Sequence, residues 1–284
     1  MRRRGRGVVA AGLVGLVVAG VLAGCGSGGG GPNPTPAPVP GAPGGKLTIG
    51  IAFDQPGLGL RTGDAYSGFD VDTAVYIAGA LGVTRDNITW KEANSDQRQQ
   101  LLESGGADLI VSTFSITDER KQVVDFAGPY FVAHQDLLVR RNDTEITGPD
   151  ALDGKNLCSV PGTTSAAYVT SHFLGNIKLT EKPRFSDCVT ALANSEVDAV
   201  TTDDVILAGY AASPEYRGKL KVVGNGFSDE SYGIGVKKGN TTLKDQVNAA
   251  LQQYVSDGSW ERALATTVAP SGYNLPDPPT PGAA

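Results

Sequence analysis

Between residues 46 and 275 the apolar positions fall into short runs and helical stripes, separated by glycine, proline and hydroxyl residues. Segment 46–53, with LTIGIAF at its core, predicts a first strand that ends at Asp54 and a glycine-rich turn, QPGLGLRTG. Tyr66, Gly68 and Phe69 lead into a predicted helix capped by Asp70, with Val71, Ala74, Val75 and Ala78 on one face and Gly82 as its stop. Residues 88–90 read as a second strand, and a helix opening near Ser95 and Asp96 runs through Leu101 and Leu102 to Gly105. Leu109, Ile110 and Val111 are a continuous apolar run, as in a sheet covered on both faces. Thr113, Ser115 and Thr117 then alternate with Phe114 and Ile116, so an extended backbone would turn three hydroxyls to one side. A polar lining at the carboxyl end of a strand is where open α/β sheets bind ligands. Thr117 is suited to cap a helix whose first turn holds Asp118, Glu119 and Arg120. A cation there opposes the helix dipole, so Arg120 calls for an anion, either a neighbouring carboxylate or a bound one.

The same pattern continues with strands at 137–139, 156–160, 197–200, 220–223 and 230–236. The turn Pro161, Gly162, Thr163, Thr164, Ser165 opens a helix, whose free N–H groups make Thr164 a candidate anion contact. Ser186 is expected to cap a helix through Val189 and Leu192, residues 242–255 form an amphipathic helix, and a short one starts at Gly258. Trp90 and Trp260 are expected in the core.

Composition, 40% hydrophobic and 19% charged over 284 residues, fits a globular protein of one large or two smaller domains. The first residues stand apart from it. Arg2, Arg3, Arg4 and Arg6 precede an apolar run from Val8 to Val21, and Leu22, Ala23, Gly24 and Cys25 follow. This start resembles a bacterial lipoprotein signal, which implies cleavage before Cys25 and a diacylglycerol on its sulfur. The Gly/Pro-rich stretch after it reads as a tether. Without the four leading arginines, 20 basic residues face 30 acidic ones, a balance that excludes nucleic acid as a partner. Gly57, Gly59 and Gly63 lack the spacing of a dinucleotide fingerprint, and His134 and His172 lack that of metal ligands, so no cofactor or metal is expected.

The run SITDERK, followed by DFAGPY at Asp125, and the phrase GFDVD before a helix resemble the signature of family 3 extracellular solute-binding proteins, the receptors of polar amino-acid ABC importers. The resemblance covers nearly all of residues 46–275 and implies a periplasmic-binding-protein-like α/β fold: two lobes joined by two crossing strands, with the ligand cleft between them. The boundaries it implies are a signal peptide over 1–24, a lipidated tether over 25–45, lobe 1 over 46–138 and again over 229–275, and lobe 2 over 139–228. Residues 276–284 are expected to be a disordered tail. By the same resemblance Arg120 grips the ligand α-carboxylate through two parallel hydrogen bonds, assisted by Ser115. The Thr113 carbonyl and Asp203 take the ammonium, with Asp204 as the less favoured alternative to Asp203, and Thr164 contacts the carboxylate from the second lobe. Ser95 and Arg98 match positions that contact the ligand side chain in glutamate and aspartate receptors. Arg61 and Asp54, beside the glycine-rich turn, are further candidates for the site.

The similarity is strongest to glutamate-binding lipoproteins of high-GC Gram-positive bacteria. Glutamate is the first expected ligand, followed by aspartate, asparagine and glutamine. The expected partners are ABC permease subunits and, through the lipid, the outer face of the cell membrane, with the receptor itself a monomer. Cys158 and Cys188 lie in one expected lobe of an exported protein and are expected to form a disulfide. Two other functions remain open: a sensor for a membrane kinase and, since a dehydratase is known on this fold, an enzyme. No HExxH, GxSxG or paired-carboxylate motif singles out a catalytic group.

Overall fold

The computed structural model describes residues 45–172 and 176–282. The expected signal peptide, Cys25 and nearly all of the tether lie outside these residues. The first sheet runs β4-β1-β5-β12-β6, from β1 (Leu47–Ile51), β4 (Ile88–Glu92), β5 (Leu109–Ile110), β6 (Val124–Ala133) and β12 (Glu230–Lys237). Strand β1 lies parallel to β4 and β5, whereas β12 is antiparallel to β5 and β6. The second sheet runs β11-β7-β10-β8-β9, from β7 (Gln135–Arg140), β8 (Asn156–Ser159), β9 (Lys178–Glu181), β10 (Ala199–Asp203) and β11 (Leu220–Val222). His134 is the single residue between β6 of one sheet and β7 of the other, and β12 carries the chain back. The sequence reading had no counterpart for β9, nor for the hairpin of β2 (Leu60–Thr62) and β3 (Ala65–Ser67) inside the glycine-rich turn.

Helix α1 (Phe69–Ala80) is capped by Gly68, not by Asp70. Gly68 has φ 115°, and a Cβ there would sit 2.1 Å from the Leu58 carbonyl oxygen, so only glycine fits. Asp70 is instead inside the helix and fully buried. On the same lobe α2 (Arg98–Glu103), α3 (Asp118–Val123), α7 (Thr241–Ser256) and α8 (Ser259–Thr267) complete the first layer set. Phe69 packs against Phe131 at 5.7 Å and Trp260 at 6.2 Å between ring centroids, and Trp260 donates its indole N–H to the Tyr130 carbonyl. Trp260 is core, as expected, whereas Trp90 is only half-buried and stacks on Tyr66. The terminal residues expected to be disordered are described through Gly282, whose N–H donates to the Gly128 carbonyl.

The second lobe carries α4 (Thr164–His172), α5 (Phe185–Ala193) and α6 (Asp204–Ala212). Ser186 is the second residue of α5 and not its cap; the chain enters the helix through extended Arg184. Cys158 on β8 is bonded to Cys188 on α5, with Cα atoms 5.5 Å apart and a sequence separation of 30. Replacing both cysteines with alanine should cost about 3–4 kcal/mol on the chain-entropy model. That loss is read as a lower Tm without reductant, and an unchanged Tm would mean that the bond constrains little.

Candidate functional site

The cleft between the sheets is lined from the first lobe by Ser95, Arg98, Thr113, Ser115 and Arg120, and from the second by Thr163, Thr164, Ser165, Phe185, Thr202, Asp203 and Ile206. Its position follows from local chemistry. Strand β5 ends in the buried Ser112–Ser115 run, and Thr117 accepts a hydrogen bond from the Arg120 N–H at 3.2 Å, which starts α3 as expected. The segment is not extended throughout, because Thr113 has φ 41°, in the left-handed region. Past it, Phe114, Ser115 and Ile116 run beside β12, with the Ile116 N–H donating to Ser231 and the Gly233 N–H to Phe114.

Two buried guanidinium groups dominate the electrostatics. Arg120 donates to the Ser115 carbonyl at 2.6 Å and, across the cleft, to the Gly162 carbonyl at 2.9 Å. Arg98 donates to the carbonyls of Ser112, Thr113 and Ser95 at 2.7, 3.1 and 3.3 Å. Their central carbons lie 5.0 and 4.5 Å from the centroid of the same Phe114 ring. Burial, and then the charge of Arg120, pushes the Arg98 guanidinium down to about 9, while burial lowers Arg120 against the attraction of Glu230 and Asp203.

Opposite them stands Asp203. Its Oδ2 accepts from the Tyr232 hydroxyl at 2.5 Å, and its Oδ1 is buried with no hydrogen-bond partner among the described residues. Burial, followed by the charge of Glu230, pushes its carboxyl up to about 8. A buried acceptor left open in this way matches an incoming cation. Thr164 donates to Glu230 on β12 at 2.9 Å, while Thr163, which the sequence reading left aside, caps α4 by accepting from the Ala166 N–H. The Ser165 hydroxyl is also buried and unpaired among the described residues. Ser165, Phe185 and Ile206 carry no sequence signal of their own, since only the packing of α4, α5 and α6 brings them to the cleft.

Two candidates lie elsewhere. Arg61 sits on the exposed hairpin, donating to the Gly63 carbonyl, 3.7 Å from Asp64, with its guanidinium against Phe53 and Tyr66. Asp54 is outside the lining and joins the lobes: its Oδ2 accepts from the Ser186 N–H and the Tyr210 hydroxyl, each at 3.0 Å. Arg184 and Glu92 pair beside it at 2.5 Å. These contacts and the Arg120 bond to Gly162 leave a space of only about 10 Å³, room for about one water. A ligand the size of an amino acid needs the lobes apart to enter. A larger open cavity of about 970 Å³ lies between α6, β11 and residues 270–276; of the candidate residues it contains only Asp204, the alternative to Asp203, which is absent from the cleft lining. The described residues hold no cluster of side chains suited to a metal ion.

The model of the bacterial extracellular solute-binding proteins, family 3, matches residues 47–267. The "Glutamate-binding protein GluB" of Corynebacterium efficiens is 44% identical over 231 residues, 78% of each chain. The "ABC transporter glutamine-binding protein GlnH" of Bacillus subtilis is 34% identical over 218 residues, 76% of this chain and 78% of that one. Among solved structures, an ancestral arginine-binding protein bound to glutamine superposes with a TM-score of 0.73 at 33% identity, covering 78% of this chain and 97% of that one. These relatives are named for the solutes they bind, and the two-lobed fold is theirs. The chain therefore belongs to family 3 of the bacterial extracellular solute-binding proteins.

Proposed function

We propose that this protein is an amino-acid receptor for an ABC importer, with glutamate as first ligand and aspartate, asparagine and glutamine after it. The observation that carries the ligand order is the pair of buried cations, Arg98 and Arg120, on one phenyl ring. Two like charges in a dry site are stabilised by a ligand with two carboxylates. In this reading Arg120 turns from the Gly162 carbonyl to the ligand α-carboxylate as the lobes part and close again, with Ser115 beside it. Thr164 and Ser165 meet the same carboxylate at the start of α4, where helix N–H groups are free of intrahelical partners. The open Oδ1 of Asp203 and the Thr113 carbonyl take the ammonium. Arg98 and Ser95 face the side chain. A basic ligand such as arginine would bring a third cation to this end of the cleft, which argues against it.

The family name and the relatives support a role outside the cytoplasm. A lipid on Cys25 would hold the receptor at the membrane beside permease subunits, and a monomer suffices because each cleft is built by one chain. A sensor would use the same binding chemistry, so the importer role is tested by glutamate uptake in a deletion strain.

Calorimetric titration of residues 46–284 with the four amino acids should give tightest binding for glutamate; silence with all four would overturn the receptor reading. A charge-assisted contact contributes about 1.5–3 kcal/mol, so Arg120→Ala should weaken every ligand by about 10- to 100-fold. Arg98→Ala should weaken glutamate and aspartate more than their amides, and equal losses would remove Arg98 from the side-chain subsite. Because the Asp203 carboxyl stands near 8, it is mostly protonated at pH 6, and a bound ammonium favours its ionised form. Affinity should therefore rise from pH 6 towards 8 and level above it, and Asp203→Asn should flatten that profile.

A further inference from the structure

Thr113 is the one cleft residue in a left-handed backbone conformation, and that conformation is held from behind the site. The peptide group joining Ser112 to Thr113 lies between a buried anion and a buried cation. Its N–H donates to Asp70 Oδ2 at 3.1 Å and its C=O accepts from Arg98 Nη1 at 2.7 Å. The Tyr130 hydroxyl completes the arrangement: it donates to Asp70 Oδ1 at 2.8 Å and lies 3.2 Å from the same Thr113 N–H. The Thr113 hydroxyl donates to Gln55 at 3.3 Å. Asp70 and Tyr130 are fully buried, and neither lines the cleft.

A peptide gripped at its N–H by Asp70 and at its C=O by Arg98 resists rotation, because turning it would break both hydrogen bonds, leaving Asp70 with Tyr130 alone and Arg98 with the Ser95 and Thr113 carbonyls. The fixed plane anchors the amino side of Thr113, and the same Arg98 Nη1 donates to the Thr113 carbonyl at 3.1 Å, so the left-handed residue is held on both sides. We propose that Asp70, backed by Tyr130, is a positioning residue for recognition of the ligand α-amino group, acting through the Thr113 peptide and never touching the ligand. The proposal rests on the reading above in which the Thr113 carbonyl accepts from the ligand ammonium. Burial pushes the Asp70 carboxyl up to about 7, against the bonds from Tyr130 and Thr113 and the charge of Arg98. A group held at that cost, where an apolar residue would pack more cheaply, is consistent with a role in the site.

The test compares glutamate with glutarate, which lacks only the α-amino group, on the wild type, Asp70→Asn and Tyr130→Phe, each checked for folding by thermal melting. The wild type should prefer glutamate. Both variants should lose about tenfold in glutamate affinity, the scale of one hydrogen bond to a charged group, with glutarate changed by less than about twofold. The preference then shrinks by about tenfold. A purely structural role would weaken both ligands alike and overturn the proposal, as would an undiminished preference in the variants. Should Asp70→Asn fail to fold, Tyr130→Phe decides, since it leaves the carboxylate in place and removes the one hydroxyl that meets both Asp70 and the Thr113 N–H. A wild type that binds none of the four amino acids overturns the receptor reading and this one with it. A wild type that prefers glutamate while the variants keep that preference overturns the positioning role alone.

Discussion

Arg98 and Arg120 are buried over the same Phe114 ring, and the organisation of the cleft follows from the need to keep those two charges satisfied out of water. An ion without partners is costly in a protein interior. Arg98 meets the requirement with three carbonyls of its own lobe. Arg120 meets it with one carbonyl from its own lobe and one from the other, at Gly162. The difference separates a fixed cation from an exchangeable one. Opening the lobes leaves the Arg98 bonds intact and frees one edge of Arg120, and a carboxylate offers that edge a stronger, charged acceptor than a carbonyl.

The lobes also hold one another through contacts outside the cleft lining. Asp54 reaches the start of α5 and Tyr210 of α6, while Glu92 pairs with Arg184. Gly162 sits so close to Ser95 and Asp96 that a Cβ would come within 2.8 Å of the Asp96 backbone. A side chain at this position would prop the cleft open. The Cys158–Cys188 bond ties β8, just before the Gly162 turn, to α5, so two of the second-lobe segments that meet the first lobe are covalently joined. A closed state held by such contacts responds to any ligand that binds it better than the open one.

What could be read from the sequence was local. The apolar run of β5 and the Thr117 cap each depend on neighbours within a few positions, and the structure keeps both, whereas α3 is so short that Arg120 falls in its last turn as well and the expected clash with the helix dipole is lost. The φ of Thr113 was out of reach because its cause lies elsewhere: Asp70 is 43 positions away and Tyr130 is 17. Asp54 looked like a site residue because it closes the first strand expected from sequence, yet its partners lie 132 and 156 positions on, in the other lobe. Arg61 looked like a second cation for the cleft because the glycine-rich turn concealed a hairpin that points it outward against Phe53 and Tyr66. Asp70 was read as a cap from its type, whereas the tight approach of Gly68 to Leu58 sets the cap two residues earlier.

Asp70 and Asp203 show where stability and binding pull apart. Both carboxyls are raised from 3.8, to about 7 and about 8, with burial as the first cause. For an acid whose pKa is raised on folding, the favourable contribution is fully present below the unfolded value and is lost as pH rises through the folded one. At neutral pH and above, each of these groups therefore weakens the ligand-free closed fold. A bound ammonium beside Asp203 reverses that sign locally by favouring its ionised form. On the proposed reading, the closed state gains from the ligand twice, through the contacts themselves and through relief of a charge the empty cleft holds poorly. Asp70 receives no such relief, because it never meets the ligand. Its compensation is the peptide bond it holds against Arg98, so the cost of its burial is carried in every state and returned only as direction at the Thr113 carbonyl.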